Sequence, residues 1–354
     1  MALRTTTIGS YPKPDYAPIG NAFDLEHGSW SSTRSTDEFL KESSGDTSAA
    51  LDRAVREVVA EQTAIGIDVP TDGEIRRENY IYHHCRHLTG FDFGVLTEQV
   101  MRDGGWIADV PTVTGPIVAG PPFLARDWRI AQAATSHPVK MTVPGPLTIM
   151  ASTADGFYGD ERRLGGDLAA ALNVEIRRLA AAGCCWIQVD EPVFAREPEK
   201  AHGLGIELLE RCFEGLPAGV NRVVHICCGY PSGVDVDDYP KADPEAYFLL
   251  APDLDAAPFD ALSIEDAHRH NDLRLLEQFT QTTVILGLVD IARTRIETVE
   301  QIRQRLEAAL DHIDESRLIA APDCGLTMLS REITRAKLAN LVAAAESVGA
   351  AAPS

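Results

Sequence analysis

The chain has 354 residues, of which 45% are hydrophobic and 24% are charged, and this composition is typical of a globular protein large enough for one barrel-sized domain. Its 53 acidic and 32 basic residues give a formal net charge of −21, which disfavours nucleic acid and anionic membrane surfaces as partners. The sequence contains no run of 18 apolar residues and no secretory signal pattern, so we expect a cytoplasmic protein that does not span a membrane.

Short β-rich runs alternate with helical segments along nearly the whole chain. Several of these runs are continuously apolar, which is typical of strands buried on both faces of a parallel sheet. The predicted strands are Thr5–Ser10, Gly66–Pro70, Pro138–Val143, Trp186–Asp190, Arg222–Cys227, Ala261–Ile264, Val284–Val289 and Leu318–Ala321. Repeated strand–helix units of this kind predict an α/β fold, a single (β/α)₈ TIM barrel over residues 1–354, with its active site at the carboxyl ends of the strands.

Apolar residues at helical spacing predict amphipathic helices between the strands. One helix carries Leu168 and Leu172 on its apolar face, follows the typical N-cap residue Asp167 and ends at Gly183. Another begins at Val299, and its apolar face continues through Ile302, Leu306, Ala309, Leu310 and Ile313.

Two segments are too long for plain strand–helix connections and are predicted as insertions after strands one and two. Residues 12–46 are rich in Gly, Pro, Ser and Thr, and are predicted to form a long loop with one short helix. Within residues 79–137, we expect a hairpin near 110–118 and a helix near 123–135, placed over the barrel mouth. Long ordered loops of this kind are often functional.

Polar residues collect where the predicted strands end. His225 and Cys227 are two residues apart, so both side chains can face the barrel mouth on an alternating strand. Glu265 follows strand six, and Cys324 follows strand eight. One imidazole, two thiols and a carboxylate form a ligand set that suits Zn²⁺. The alternative interpretation is a group of ordinary buried side chains, because a His-x-Cys pair alone is weak evidence for a metal.

The other cysteines and the remaining acids are interpreted more conservatively. Cys228 should face away from the mouth and belong to the core. Asp190 rather than its neighbour Glu191 is expected to face the mouth, and Glu74 is a candidate for binding a substrate ammonium, with a capping or salt-bridged acid as the alternative. The basic stretch around Arg77 is interpreted as a surface helix, with anion binding as the alternative.

The strand-end motifs, taken in order, resemble the C-terminal catalytic barrel of cobalamin-independent methionine synthase. The resemblance extends over most of the chain and is most specific in four motifs: Gln188-Val189-Asp190-Glu191-Pro192, His225-x-Cys227, Ser263-Ile264-Glu265 and Pro322-Asp323-Cys324-Gly325. It implies a zinc ion on His225, Cys227, Glu265 and Cys324. It also implies an amino-acid thiol substrate held by Ser10, Glu74 and Asp190.

Two departures from that family's pattern bear on which branch of the family the chain resembles and on which methyl donor it uses. The methionine synthases with two barrels carry an extra N-terminal barrel for which this chain has no room. The chain therefore resembles the short single-barrel branch of the family. That branch is related to epoxyalkane:coenzyme M transferase. The folate-dependent enzymes have a histidine where this chain has Ala292. Either another acid such as His268 or His270 protonates the donor, or the donor is not methylfolate.

The resemblance therefore implies a zinc-dependent methyltransferase that transfers a methyl group to a small thiol, with homocysteine giving methionine as the leading expectation. Asp190, Glu265 and His270 are the predicted catalytic residues. Alkyl transfer to another thiol and a non-catalytic structural zinc barrel remain alternatives. Two further alternatives rank lower: a metal-free hydrolase with Asp190 and Glu265 as its carboxylate pair, and a decarboxylase barrel. The expected partners are small molecules, and the sequence leaves a homo-oligomer open.

Overall fold

The computed structural model describes residues 2–19, 45–101, 106–231, 233–237 and 241–349. The strands within these ranges are β1 (Arg4–Thr5), β2 (Leu88–Met101), β3 (Trp106–Ala119), β4 (Lys140–Pro144), β5 (Ala154–Asp155), β6 (Trp186–Asp190), β7 (Asn221–Ile226), β8 (Ala261–Ile264), β9 (Thr283–Val289) and β10 (Leu318–Pro322). Seven of them form one sheet in the order β1-β10-β9-β8-β7-β6-β4, and β2, β3 and β5 form a second, smaller sheet.

The neighbouring strands of the main sheet all run parallel, so their carboxyl ends share one edge. Asp190 of β6 pairs with His225 of β7, which pairs in turn with Ser263 of β8. The prediction of an α/β fold with a parallel sheet is confirmed, and this register places chemically distinct side chains from successive strands on one edge.

The second predicted strand, residues 66–70, is reduced to two isolated parallel bridges, Thr6 to Val69 and Thr71 to Lys140. These bridges lie between the β1 and β4 edges of the main sheet. Side chains occupy backbone groups that a longer ladder would use: the Thr71 N–H donates to the Gln62 amide oxygen at 3.1 Å, and the Gln62 amide donates to the Thr71 carbonyl at 3.0 Å. A regular strand is therefore replaced by a segment held through its side-chain contacts.

The sheet is curled and has apolar cores on both faces. Alternation along β6 and β7 sends Ile187, Val189, Val224 and Ile226 to the outer core, which contains the apolar faces of the helices. A separate inner cluster collects residues from five of the seven sheet strands and from the segments beside β1: Ile8, Val69, Trp186, Val223, Ala261, Ile285, Ile319 and Ala321. This inner cluster fills the lower part of the curl, and polar side chains occupy the rim above it.

The described residues also form eleven α-helices, most of which contribute apolar residues to the outer core. They are α1 (Gly45–Ile65), α2 (Tyr80–Arg86), α3 (Leu124–Gln132), α4 (Pro146–Ala151), α5 (Glu161–Ala181), α6 (Val193–Arg196), α7 (Pro198–Lys200), α8 (Ile206–Cys212), α9 (Glu245–Ala256), α10 (Val299–Leu310) and α11 (Arg331–Gly349). Helix α10 begins where the sequence predicts, because Thr298 and Gln301 form a capping box at its N-terminus. Within the described ranges, no helix combines the length and apolarity required to cross a membrane.

The predicted start of α5 is wrong. Asp160 rather than Asp167 caps this helix, and its carboxylate accepts hydrogen bonds from the N–H groups of Arg162 and Arg163. Asp167 lies inside the helix and accepts a 2.6 Å hydrogen bond from the Tyr158 hydroxyl. Gly165, also inside this helix, allows close packing, since a Cβ there would lie 2.7 Å from Leu208 of α8.

The two long predicted insertions are described to different extents. Strands β2 and β3 form an antiparallel hairpin that is longer than the predicted 110–118 segment, and α3 occupies the region of the predicted helix. Of residues 12–46, positions 20–44 lie outside the described residues, so the short helix expected there stays a prediction. Helix α1 begins at Gly45.

Gly287 of β9 generates a stability prediction because it lies between the ends of two neighbouring strands. A Cβ at this position would lie 2.2 Å from a carboxylate oxygen of Asp323 and 2.8 Å from the Asp323 Cα. We expect Gly287→Ala to lower the free energy of unfolding by roughly 1–3 kcal/mol, measured by urea denaturation. The control is Gly203→Ala, where a Cβ would meet no atom within 4 Å. Equal stability of the Gly287 variant and the wild type would contradict this packing.

Candidate metal and substrate site

A cavity of about 480 Å³ opens at the carboxyl edge of the main sheet. It is lined by six residues that the sequence singled out: Ser10, Glu74, Asp190, His225, Cys227 and Cys324. These residues come from five different strand ends or the loops that follow them. The parallel register therefore converts positions distant in sequence into one polar cavity.

His225, Cys227 and Cys324 form the most compact group in this cavity. One potential ligand atom from each side chain lies within 4.8 Å of the other two. His225 Nε2 is 3.4 Å from the Cys324 sulfur. His225 and Cys227 are buried, and Cys324 is partly exposed at the cavity wall. The structure thus brings the imidazole of His225 and the thiol of Cys227 together with the thiol of Cys324, which lies almost 100 residues later in the chain.

The two thiols of this group titrate very differently. The hydrogen bond from Cys324, followed by the contact with His225, holds the pKa of Cys227 well below its usual range. Donation of that hydrogen bond, together with burial, raises the pKa of Cys324 well above its usual range. One sulfur is thus favoured as a thiolate while the other keeps a proton, which is how a buried pair of thiols limits its own negative charge.

The imidazole of His225 has a fixed orientation. Its Nδ1 lies 2.9 Å from the Ser263 hydroxyl on the adjacent strand β8, while Nε2 points towards Cys324. A metal-binding histidine commonly uses one ring nitrogen for the ion and the other for a hydrogen bond of this kind. Ser263 therefore orients His225 so that its Nε2 is available to bind a metal ion.

This donor set fits a zinc ion. Bond lengths of about 2.3 Å to sulfur and about 2.0 Å to nitrogen place the ligand atoms of one tetrahedral zinc roughly 3.5 Å apart. The distance of 3.4 Å between His225 and Cys324 is of that size. Thiolate and imidazole donors also match the softness of zinc better than that of magnesium or calcium.

Glu265, the fourth predicted ligand, is not part of the compact group. Its carboxylate accepts a 2.6 Å hydrogen bond from the Lys241 ammonium, and both side chains are buried. The pKa of Glu265 is raised by burial, against the opposing effect of Lys241. Residue 265 follows Ile264, which pairs with Ile226, so Glu265 lies one strand away from Cys227. The structure therefore places Glu265 beside the group, with a lysine as its partner.

Glu74 is held in place by an unusual backbone and by two side chains. Its φ of 55° lies in the left-handed region, which is uncommon for a residue with a side chain. Its carboxylate accepts hydrogen bonds from Thr142 at 2.7 Å and from Arg77 at 3.2 Å. Gly9 permits this placement, since a Cβ there would lie 2.8 Å from the Glu74 carboxylate. Backbone strain of this kind is frequent at functional sites.

Asp190 is the last residue of β6. Its side chain faces the cavity, away from the outer core that contains Val189. The Gln188 amide donates a hydrogen bond of 2.7 Å to its carboxylate. Burial raises the pKa of Asp190 to about 7, with a further contribution from the nearby charge of Glu74. Its neighbour Glu191 faces the other way, as expected, and accepts hydrogen bonds from the N–H groups of Leu147 and Thr148.

His270, the predicted proton donor, is not brought to this cavity. Its side chain is 63% exposed and contacts Asp266, whose carboxylate also pairs with Arg305. His268 lies near Asp290, and neither histidine lines the cavity. Ala292 is buried. The acid–base role predicted for His270 therefore has no geometric support in the described residues.

Several basic and phenolic side chains at the site were missed by the sequence interpretation. Arg77 is only 4% exposed, so the prediction of a surface helix is wrong for this residue, which turns inward to reach Glu74 and Thr142. Lys13, Arg77 and Tyr230 lie in irregular segments, where no periodic pattern reveals which way a side chain faces. The cavity also includes Lys13, Tyr80 and Tyr230, while Lys241 lies behind it.

Known proteins share this architecture. The chain matches the family described as "Cobalamin-independent synthase, Catalytic domain" over residues 3–204 and 243–347. It is 29% identical to the methionine synthase of Sulfolobus acidocaldarius over 342 residues, 96% of this chain and 90% of that protein. With the methionine synthase of Thermococcus kodakarensis, the identity is 28%, over 98% of this chain and 93% of that protein.

A solved structure agrees with these matches. The B12-independent methionine synthase from Shewanella sp. W3-18-1, in complex with selenomethionine, has a TM-score of 0.86 and 31% identity to this chain. The alignment covers 99% of this chain and 98% of that protein.

The curled parallel sheet and its polar rim define an α/β enzyme with a candidate metal centre of one imidazole and two thiols. The chain belongs to the cobalamin-independent synthase catalytic-domain family, because that family matches most of its length. The resemblance inferred from the strand-end motifs is thereby confirmed. So is the prediction that the chain is a methyltransferase that acts on a thiol.

Proposed function

We propose that this protein transfers a methyl group to the thiol of homocysteine and releases methionine, in a reaction that depends on zinc. The observation that carries this proposal is the convergence of His225, Cys227 and Cys324 within 4.8 Å at the wall of a cavity large enough for a small amino acid. The relatives named as methionine synthases, and the one solved with selenomethionine, support the same reaction.

We propose that His225, Cys227 and Cys324 hold the zinc ion, with Glu265 as the exchangeable fourth ligand. A bound Zn²⁺ lowers the pKa of a coordinated thiol, so that a nucleophilic thiolate is available at neutral pH. Bound as thiolates, Cys227 and Cys324 would neutralise the charge of the ion, so that an incoming sulfur would retain its electron density. The chain itself contributes a preorganised donor set, with His225 oriented by Ser263.

Ser10, Glu74 and Asp190 are proposed to bind the amino-acid part of the substrate. Two carboxylates on the cavity wall provide the negative charge that an ammonium group requires, and Ser10 offers a hydroxyl. Thr142 and Arg77 orient Glu74 before the substrate arrives, which reduces the entropy that binding must overcome. An incoming ammonium favours the ionised form of Asp190, whose pKa of about 7 leaves it partly protonated at neutral pH.

We also propose that the main sheet and the segment at residues 66–71 together act as a closed eight-stranded barrel, with residues 79–137 covering its mouth. The two isolated bridges at Val69 and Thr71 support closure. Gln99 and Val100 of the hairpin line the same cavity as the metal-binding group, which supports a covering role. Such a cover would exclude water from the transferring methyl group.

Metal binding provides the first test of this proposal. We expect one zinc ion per chain in the wild type, and we expect Cys324→Ala to lower zinc affinity by more than the roughly 10–100-fold that loss of an outer-shell partner costs. Zinc content is measured by inductively coupled plasma mass spectrometry after dialysis against a chelator. Cys228→Ala is the matched control, because Cys228 is buried in the apolar core. Undiminished zinc in the Cys324 variant would refute the metal site.

Methyl transfer is tested with zinc-loaded protein, homocysteine and three separate donors: methyltetrahydrofolate, methylcobalamin and simple methylated compounds. We expect methionine, detected by mass spectrometry, with at least one donor. We expect Glu74→Gln to raise the KM for homocysteine roughly 10–100-fold at unchanged zinc content, because a charge-assisted contact with the substrate ammonium is lost. Glu199→Gln, at an exposed position, is the control. Absence of methionine with every donor, or an unchanged KM, would count against the proposal.

A further inference from the structure

Lys241 and Glu265 form a buried ion pair directly behind the metal-binding group. The ammonium nitrogen lies 2.6 Å from Glu265 Oε1, and the two side chains are 9% and 4% exposed. The Lys241 segment is anchored to the end of β7, because the neighbouring Ala242 N–H donates to the Cys228 carbonyl at 2.8 Å. The lysine is thus held next to the strand end that carries Cys227.

Glu265 contacts this lysine at the end of the strand next to the one that carries Cys227. Ile264 pairs with Ile226, so Glu265 is the neighbour of Cys227 across the sheet, and the backbone N–H of Cys228 donates to its carboxylate. With its oxygen on Lys241, Glu265 stays outside the compact group formed by His225, Cys227 and Cys324. The carboxylate is therefore bound to the lysine while its backbone lies next to the strand end that carries Cys227.

We propose that Lys241 is a positioning residue that receives Glu265 when the carboxylate leaves the metal, and that it thereby promotes exchange of this ligand for the substrate thiol. This inference rests on the proposed function. In this exchange, Glu265 would give up its bond to the ion for the hydrogen bond with Lys241, and the substrate would bind as a thiolate whose proton passes to the surrounding water. Because one anionic ligand would replace another, the total charge at the ion would stay the same.

The need for such a partner follows from burial. A carboxylate that is 4% exposed and has no cation nearby carries a large desolvation cost. Without Lys241, Glu265 would reduce that cost by remaining on the metal, and the substrate thiol would have to displace it. Lys241 therefore weakens the hold of Glu265 on the metal and strengthens binding of the thiol.

Replacement of Lys241 separates this role from a merely structural one. We expect Lys241→Met to tighten zinc binding by about tenfold, measured by competition with a chromogenic chelator, because the hydrogen bond that competes for Glu265 is lost. We expect the same variant to weaken homocysteine binding to the zinc-loaded protein by about tenfold, measured by calorimetry. A structural defect would weaken both. Lys241→Arg, which keeps the charge, should restore wild-type values.

Three further variants keep the test decisive. In a Glu265→Gln background, Lys241→Met should change zinc affinity by less than twofold, because the two residues act through one contact. Lys241→Gln should also tighten zinc binding and weaken homocysteine binding, but by a smaller factor than Lys241→Met. It replaces Lys241→Met if that variant does not fold. Arg331→Met, which breaks the ion pairs of Arg331 with Glu57 and Glu61 outside the cavity, should leave zinc affinity unchanged.

The outcomes distinguish this inference from the proposed function. A wild type that binds zinc and homocysteine, with unchanged or weaker zinc binding in Lys241→Met, overturns the role of Lys241 and leaves the proposed function intact. A wild type that binds zinc but no homocysteine overturns the proposed function itself. Tighter zinc binding together with weaker thiol binding in Lys241→Met supports the role of Lys241.

Discussion

The parallel register of the main sheet is the constraint on which the candidate site depends. Because Asp190, His225 and Ser263 occupy paired positions on successive strands, the residues that follow them reach the same edge. Cys324 enters from beyond β10, almost 100 positions after His225, and still comes within 3.4 Å of it. A shift of one residue in any of these strands would turn the donors towards the outer core, so the metal-binding group and the fold share one determinant.

Compensation of buried negative charge is the second requirement of this rim. Glu74 pairs with Arg77, Glu265 pairs with Lys241, and Asp323 accepts hydrogen bonds from the N–H groups of residues 266–268. Buried acids without such partners would destabilise the fold by several kcal/mol each. The neighbouring groups offset the free-energy cost of burying these carboxylates, and the carboxylates stay available for ligands. Such compensation is typical of an active site assembled on a rigid scaffold.

The sequence predicted what depends on periodicity and failed where long-range contacts decide. Alternation along β7 places His225 and Cys227 on one face, so their convergence with Cys324 was predictable once parallel strands were assumed. The partners Arg77 and Lys241 come from irregular segments, where no repeating pattern indicates the direction of a side chain. The second predicted strand was overestimated because side chains occupy backbone groups around it: the Asp68 carboxylate accepts from the distant Thr5 N–H, and the Gln62 amide bonds to the backbone of Thr71.

X-ray absorption at the zinc edge tests the central claim most directly, since it reports the ligand atoms around the ion without reference to turnover. The account predicts two sulfur neighbours at about 2.3 Å together with nitrogen or oxygen neighbours at about 2.0–2.2 Å, and the loss of one sulfur in Cys227→Ala. A zinc ion surrounded only by nitrogen and oxygen, or a sulfur count that does not change in that variant, would contradict it.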